Sequence, residues 1–107
     1  MTTQTSPTVA APRRVGHYIG GQWRESAETI ERRAPGTGEL VAEVSAGDST
    51  DVDAAVSAAR RAFDAGEWPR LTGFDRAALL NRVADLIDAN ADMLARLDAE
   101  EGGKPLR

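Results

Sequence analysis

Few residues of this chain are of the types that carry out catalysis. Cysteine is absent and His17 is the single histidine among 107 residues. Without cysteine, the chain contains no thiolate nucleophile and no thiolate ligand for zinc. A His-based metal cluster or a Ser-His-Asp triad would need more than this sequence supplies. The remaining candidates are glycine-rich segments and carboxylates, and their spacing decides which chemistry they could perform.

Two glycine-containing segments match phosphate-binding loops only in part. Gly36-Thr37-Gly38 is a G-x-G, but Val41 stands where the dinucleotide-binding pattern needs a small residue. That pattern also requires a strand before it and a helix after it, whereas a strand is predicted to follow here. In Gly103-Lys104-Pro105, proline replaces the Ser or Thr of a P-loop. We interpret the first segment as a turn and the second as a helix stop.

Two groups of carboxylates could bind a metal or form an acid–base pair. Asp48, Asp51 and Asp53 lack the spacing of an EF-hand loop, and helix capping explains the first two. Glu100 and Glu101 are adjacent, and adjacent positions on a helix do not face each other. We interpret this pair as a solvent-exposed helix end. The sequence therefore assigns no catalytic, cofactor-binding or metal-binding residue within these 107 positions.

Charge and hydropathy argue against two classes of partner. The formal net charge is −4 and the isoelectric point is near 4.9, whereas nucleic-acid binding relies on a basic surface. No run approaches the ~20 apolar residues of a membrane-spanning helix. Leu, Ile, Val and Phe together number 20 of 107, which is a small number of large apolar side chains for an independent hydrophobic core. We expect no nucleic-acid or membrane partner, and either a small helical module or a piece of something larger.

The first half of the chain is predicted to contain a tail and then short strands. Residues 1–14 are rich in Thr, Ser, Ala and Pro, with no basic residue before Arg13. This composition predicts a disordered tail, is a poor match to a signal or transit peptide, and favours a cytoplasmic location. Residues 15–47 are predicted to form short strands joined by turns. The strands fall at 17–19, 22–24, 27–32 and 40–44, with a Gly20-Gly21 hairpin turn and a second turn at 34–39.

Residues 48–103 are predicted to form about three helices. Asp48 and Asp51 have capping-box spacing, an apolar stripe follows at helical intervals, and Gly66 ends the first helix. Thr72 and the residues after it resemble a second helix start. That helix has the most apolar stripe of the chain, formed by Leu79, Leu80, Val83, Leu86 and Ile87.

The third helix and the two tryptophans complete the pattern. Asn90 either ends the second helix or caps the third, which Gly102-Gly103 stops. We interpret Trp23 and Trp68 as packing anchors rather than ligand-stacking rings. Because the first helix has an alanine-rich stripe that needs a close neighbour, these features together suggest a surface missing from this chain.

From Tyr18 to the end, the order of these features resembles the N-terminal region of the aldehyde dehydrogenase superfamily. Each matching piece is weak alone, but their shared order and spacing make the resemblance specific. Ala34 departs from it, since the family often has Asn there. Some relatives bind a monovalent cation partly through a backbone carbonyl near Arg33, but we assign no metal. The pieces are YIGGQW at 18–23, PGTGE at 35–39, GDSTDVDAAV at 47–56, AARRAF at 58–63, WP at 68–69, RAALL at 76–80, VADLI at 83–87 and GKPL at 103–106.

The resemblance implies an α/β fold with a nucleotide-binding domain, a catalytic domain and an oligomerisation arm. Residues 15–107 would be the N-terminal part of the nucleotide-binding domain, with the catalytic domain absent. The short strands of 15–47 would precede the Rossmann-like sheet, and the helices of 48–103 would pack on its outer face. In the family a cysteine thiolate attacks the aldehyde, hydride passes to NAD or NADP, and a glutamate activates the water that releases the acid. All of these residues lie downstream of the region that the chain resembles.

The expected function is therefore that of an N-terminal fragment of a cytoplasmic NAD(P)-dependent aldehyde dehydrogenase. The fragment alone is expected to be inactive and to bind no cofactor. The full-length protein would act on an aldehyde and form a homo-oligomer, either a dimer or a tetramer. One alternative is a small helical interaction module derived from the same family without catalysis, and another is an unrelated soluble domain. Whether the reading frame continues past Arg107 discriminates between fragment and module.

Overall fold

The computed structural model describes residues 12–106 and has five strands followed by three helices, as the α/β fold class predicts. Residues 1–11 of the expected tail lie outside the described residues. Arg13 and Arg14 belong to a strand, so the prediction of disorder is wrong at these two positions. The strands are β1 Arg13–Val15, β2 His17–Ile19, β3 Gln22–Arg24, β4 Thr29–Arg33 and β5 Leu40–Ser45, and the helices are α1 Ser49–Ala65, α2 Gly73–Ala89 and α3 Ala91–Gly102.

The predicted hairpin is present as the antiparallel pair β2–β3. Gly20 and Gly21 form its two-residue turn with φ of +59° and +79°. A turn with positive φ at both central positions matches the twist of the flanking strands, and glycine adopts it at little cost. Tyr18 and Trp23 are paired across the two strands, and their ring centroids lie 5.0 Å apart.

The second sheet has three strands in the order β1-β5-β4. Strands β4 and β5 are antiparallel neighbours joined by the turn that contains the G-x-G segment. The Gly38 N–H donates to the Ala34 carbonyl at 2.8 Å, and the Ala34 N–H donates to the Glu39 carbonyl at 2.9 Å. The turn interpretation is therefore confirmed. Strand β1 pairs in parallel with β5, a pairing that the sequence pattern did not predict.

The starts of α1 and α2 follow the predicted capping signals. At α1 the Asp51 N–H donates to Asp48 Oδ1 at 2.9 Å, and the Asp48 N–H donates to Asp51 Oδ2 at 3.1 Å. This reciprocal pair is the capping box, and Gly66 ends the helix as predicted. At α2 the Thr72 hydroxyl accepts the Asp75 N–H at 3.1 Å. Between the two helices, Trp68–Arg70 forms a short 3₁₀ turn.

The junction between α2 and α3 resolves the two possibilities for Asn90. Its side-chain amide donates to the Leu86 carbonyl at 2.8 Å and makes no capping bond to α3. The Leu86 carbonyl also accepts the Asn90 backbone N–H at 3.2 Å, so both the backbone and the side chain of Asn90 bind the end of α2. Helix α3 ends at Gly103, whose φ of +68° is left-handed and whose N–H donates to the Ala99 carbonyl. The predicted helix stop is confirmed.

Burial is concentrated in the sheets. Among residues 12–106, the buried side chains are those of Ile19, Ala42 and Ser45, and no residue of the three helices is buried. The radius of gyration is 19.1 Å, whereas a compact chain of this length would have one of about 13 Å. The helices thus extend away from the sheets with their apolar faces uncovered. None of them is long and apolar enough to cross a membrane.

Candidate functional site

One polar cluster joins the hairpin to the start of α1. His17 Nε2 lies 3.3 Å from the Ser26 hydroxyl and 3.8 Å from Asp51 Oδ2. A catalytic triad requires the serine and the carboxylate on opposite ring nitrogens, so that the imidazole can pass a proton between them. Here both groups approach the same nitrogen. The cluster therefore connects three segments of the chain and is not arranged for nucleophilic catalysis.

The surroundings of this cluster show how the local structure holds it. The Ser26 N–H donates to the buried Ser45 hydroxyl at 3.0 Å, which fixes the loop after β3 against the end of β5. A Cβ at Gly47 would lie 3.5 Å from the His17 ring. Asp51 is engaged through the capping box. The pKa of Asp48 lies below its ordinary value, chiefly because its carboxylate accepts the backbone N–H of Asp51.

Two of the three carboxylates considered as metal ligands bind backbone N–H groups instead. Asp48 and Asp51 cap α1, which confirms the capping interpretation. Within residues 12–106, no three side chains of the metal-ligating types come together.

The adjacent glutamates have a partner that the sequence interpretation missed. Arg13 Nη1 lies 3.1 Å from Glu100 Oε2, and Arg13 Nη2 lies 3.1 Å from Glu101 Oε1. The two carboxylates flank one guanidinium and do not form an acid–base pair. Our interpretation of them as a free, solvated helix end is therefore incomplete. No local signal could have revealed the partner, because Arg13 lies 87 residues away along the chain.

A groove separates the turn between β4 and β5 from the end of α3. Its lining includes Thr37, Ala99 and Lys104. A Cβ at Gly103 would lie 2.9 Å from Pro35 Cγ, so the two walls nearly touch at one end. The G-x-G segment and the helix stop, the two candidates for phosphate loops, both line this groove. Neither segment lies at a helix N-terminus, where backbone N–H groups bind phosphate.

The strand-to-helix turn between β5 and α1 does not fit a nicotinamide dinucleotide. Such cofactors bind where a strand leads through a glycine-rich turn into a helix N-terminus. The turn from β5 to α1 has this order, but Gly47 is its single glycine, and the carboxylates of Asp48 and Asp51 cover the helix N-terminus. These negative charges would repel a pyrophosphate. The turn from β5 to α1 therefore lacks the features of a dinucleotide-binding turn.

The most extensive chemical feature is apolar surface on the helices. The predicted stripe of α2 is exposed along its length, and on α1 a groove is lined by Val56, Ala59 and Phe63. Trp23 and Trp68 are 70 % and 43 % exposed. Each ring has one close aromatic or cationic neighbour, Tyr18 for Trp23 and the Arg76 guanidinium for Trp68. The packing predicted for both tryptophans is thus incomplete within the described part of the chain.

Comparison with known proteins identifies the family of this chain. The model of the aldehyde dehydrogenase family matches residues 23–107. Aldehyde dehydrogenase family 2 member C4 of Arabidopsis thaliana is 53 % identical over 89 residues, which cover 81 % of this chain and 18 % of that protein. The mitochondrial aldehyde dehydrogenase of Equus caballus is 45 % identical over 91 residues, covering 82 % and 18 % respectively. The chain therefore spans about a fifth of the length of these relatives.

Solved structures agree with the sequence comparison. The NAD-dependent aldehyde dehydrogenase of Sinorhizobium meliloti has a TM-score of 0.86 and 40 % identity, over 94 % of this chain and 21 % of that one. The Mycobacterium tuberculosis aldehyde dehydrogenase complexed with NAD⁺ has a TM-score of 0.82 and 38 % identity, over 89 % and 20 %. Because the family model covers most of the chain and the strands and helices superpose at this identity, the chain belongs to the aldehyde dehydrogenase family.

Proposed function

We propose that this chain is the N-terminal segment of an NAD(P)-dependent aldehyde dehydrogenase that oxidises an aldehyde to a carboxylic acid through a cysteine thioester. Residues 15–107 would form the N-terminal part of its nucleotide-binding domain. The contribution of the segment would be structural. It contains no cysteine, and its strand-to-helix turn is too acidic for a dinucleotide.

The observation that carries the proposal is the uncovered apolar face of each helix. Exposed apolar side chains such as Leu79, Val83 and Met93 are on average about half accessible to solvent. Burying a Leu, Val or Met side chain fully contributes roughly 1.5–3 kcal/mol. A row of such side chains along three helices thus has a strong tendency to pack on a partner surface. In the relatives, the residues beyond this segment make up about four-fifths of the protein, enough to supply that surface.

Three further features belong to the proposal. Either NAD or NADP would serve as acceptor, and NAD is favoured because two structural relatives are described with it. The full-length protein would be a dimer or a tetramer. It would be cytoplasmic. Because the horse relative is mitochondrial, cell fractionation should be used to distinguish the two compartments.

The test compares this chain with the protein encoded when the reading frame is followed beyond Arg107. The 107-residue chain, incubated with an aldehyde and NAD or NADP, should produce no reduced cofactor. The longer product should produce it steadily. The matched control is the longer product with its nucleophilic cysteine changed to alanine, which should bind cofactor but not turn over. Steady reduction by the purified short chain would contradict the proposal.

The exposed helix faces also favour a second candidate function, a helical interaction module without catalysis. This hypothesis predicts a stop codon directly after Arg107 and expression of the short protein in its source. Sequencing the adjoining DNA and detecting the protein by its mass distinguish the two functions. A natural stop with stable expression would support the module and contradict the enzyme segment, without changing the family assignment.

A further inference from the structure

Strand β1 has little to hold it in place. It contains three residues and lies at the edge of its sheet, in parallel with β5. Parallel pairing is slightly less stable per residue than antiparallel pairing. Its apolar residue, Val15, is 38 % exposed, and Arg14 is exposed as well. Apolar burial therefore contributes little to holding this strand.

Arg13 connects β1 to the end of α3. Its two terminal nitrogens reach two different carboxylates at 3.1 Å each, those of Glu100 and Glu101 in the last turn of α3. Because one guanidinium forms both ion pairs, the arginine side chain loses conformational entropy only once for two contacts.

The position of the glutamates strengthens this argument. The C-terminus of a helix carries partial negative charge and disfavours carboxylates. Two consecutive glutamates there also repel each other. The Arg13 cation offsets both effects, so the contact also stabilises the end of α3.

We propose that Arg13, Glu100 and Glu101 form an ionic latch that holds β1 on the edge of β5 and the end of α3 on the sheet. Opening the latch releases β1 and exposes one edge of β5, the strand that contains the buried residues Ala42 and Ser45. The end of α3 also comes close to the β4–β5 turn at Gly103, where an added Cβ would lie 2.9 Å from Pro35 Cγ, and this approach involves no charge. High ionic strength is therefore expected to break the two ion pairs of Arg13 while Gly103 stays close to Pro35.

The test is amide hydrogen exchange of the 107-residue chain at low and high salt. Exposed ion pairs contribute roughly 0.2–1 kcal/mol, which corresponds to about a 1.4- to fivefold change in the opening equilibrium. In the unmodified chain, raising the salt concentration should reduce protection in β1, β5 and the last turn of α3 by this factor. Arg13→Gln should show the reduced protection at low salt and no further response to salt.

Arg14→Gln is the matched control. Arg14 is the next residue of the same strand, but its ion partner is Glu43 on the neighbouring strand, at 3.4 Å. This variant loses the same charge and should leave the last turn of α3 and its salt response unchanged. A second variant, Glu100→Gln combined with Glu101→Gln, should reproduce the effect of Arg13→Gln on β1 from the opposite side of the latch.

Three results would overturn the proposal. The first is an equal loss of protection in the Arg13 and Arg14 variants, which would indicate a general charge effect. The second is protection in β1 and α3 that does not respond to salt. The third is an unmodified chain whose β1 and β5 amides are unprotected at low salt, because the latch would then hold nothing.

Discussion

Two adjacent glycines at the end of α3 should respond in opposite directions to the same substitution. Gly103 has a φ of +68°, and an added Cβ would lie 2.9 Å from Pro35 Cγ. An L-residue in the left-handed conformation costs roughly 1–2 kcal/mol. Gly102 lies within the helix, and its added Cβ would meet nothing within 4 Å apart from the adjacent residues and backbone of its own helix. Alanine there gains roughly 0.5–1 kcal/mol from the lower backbone entropy of the unfolded chain.

The measurement is hydrogen exchange of the last-turn amides of α3, corrected for intrinsic rates, because local opening can be followed even where global unfolding is not cooperative. Gly103→Ala should lower their protection about 5- to 30-fold, the ratio that corresponds to roughly 1–2 kcal/mol. Gly102→Ala should leave protection unchanged or raise it by up to about fivefold. Equal effects of the two variants would refute the assignment of Gly103 as a left-handed helix end.

Three other predictions follow from capping and close approach. Thr72→Ala should weaken the start of α2 by about 1 kcal/mol, lowering the protection of its first-turn amides, while Thr72→Ser should retain it. Because the pKa of Asp48 is lowered below 3.8 in the folded chain, its contribution to stability is present above that value and should be lost as the pH falls through the folded pKa. Circular dichroism should show this loss of helix and a smaller one in Asp48→Asn, and an identical acid profile would contradict it. Gly16→Ala should disrupt the hairpin, since its Cβ would lie 2.5 Å from the Arg24 carbonyl oxygen, and an unchanged Tyr18–Trp23 fluorescence signature would argue against this.

The elements that were predicted correctly depend on signals within a few residues of each other. The hairpin follows from Gly20-Gly21, the start of α1 from Asp48 and Asp51, and the end of α3 from Gly103. Capping bonds and positive-φ turns are formed between neighbours in sequence, so the residue types specify them directly. The apolar stripe of α2 was predicted for the same reason, although the structure leaves it uncovered.

The candidate site was predicted less completely. The carboxylates of Asp48 and Asp51 were correctly interpreted as caps, and the Gly36-Thr37-Gly38 segment as a turn. The contact of His17 with Asp51 was not anticipated, because it depends on how the hairpin lies against α1. The two residues are separated by 34 positions, so no local sequence signal encodes their contact.

The sequence by itself determined the family, the fold class, the order of four of the five described strands and of the three helices, and most of their ends. It also excluded cysteine chemistry from these 107 residues, since the required atom is absent. The tertiary structure alone decided the parallel pairing of β1 with β5 and the meeting of Arg13 with Glu100 and Glu101. The physical reason is the separation along the chain. A contact between segments about 30 or 90 residues apart closes a long loop, which costs chain entropy. The preferences of neighbouring residues do not specify such a contact. Such contacts are fixed by the packing of the whole chain.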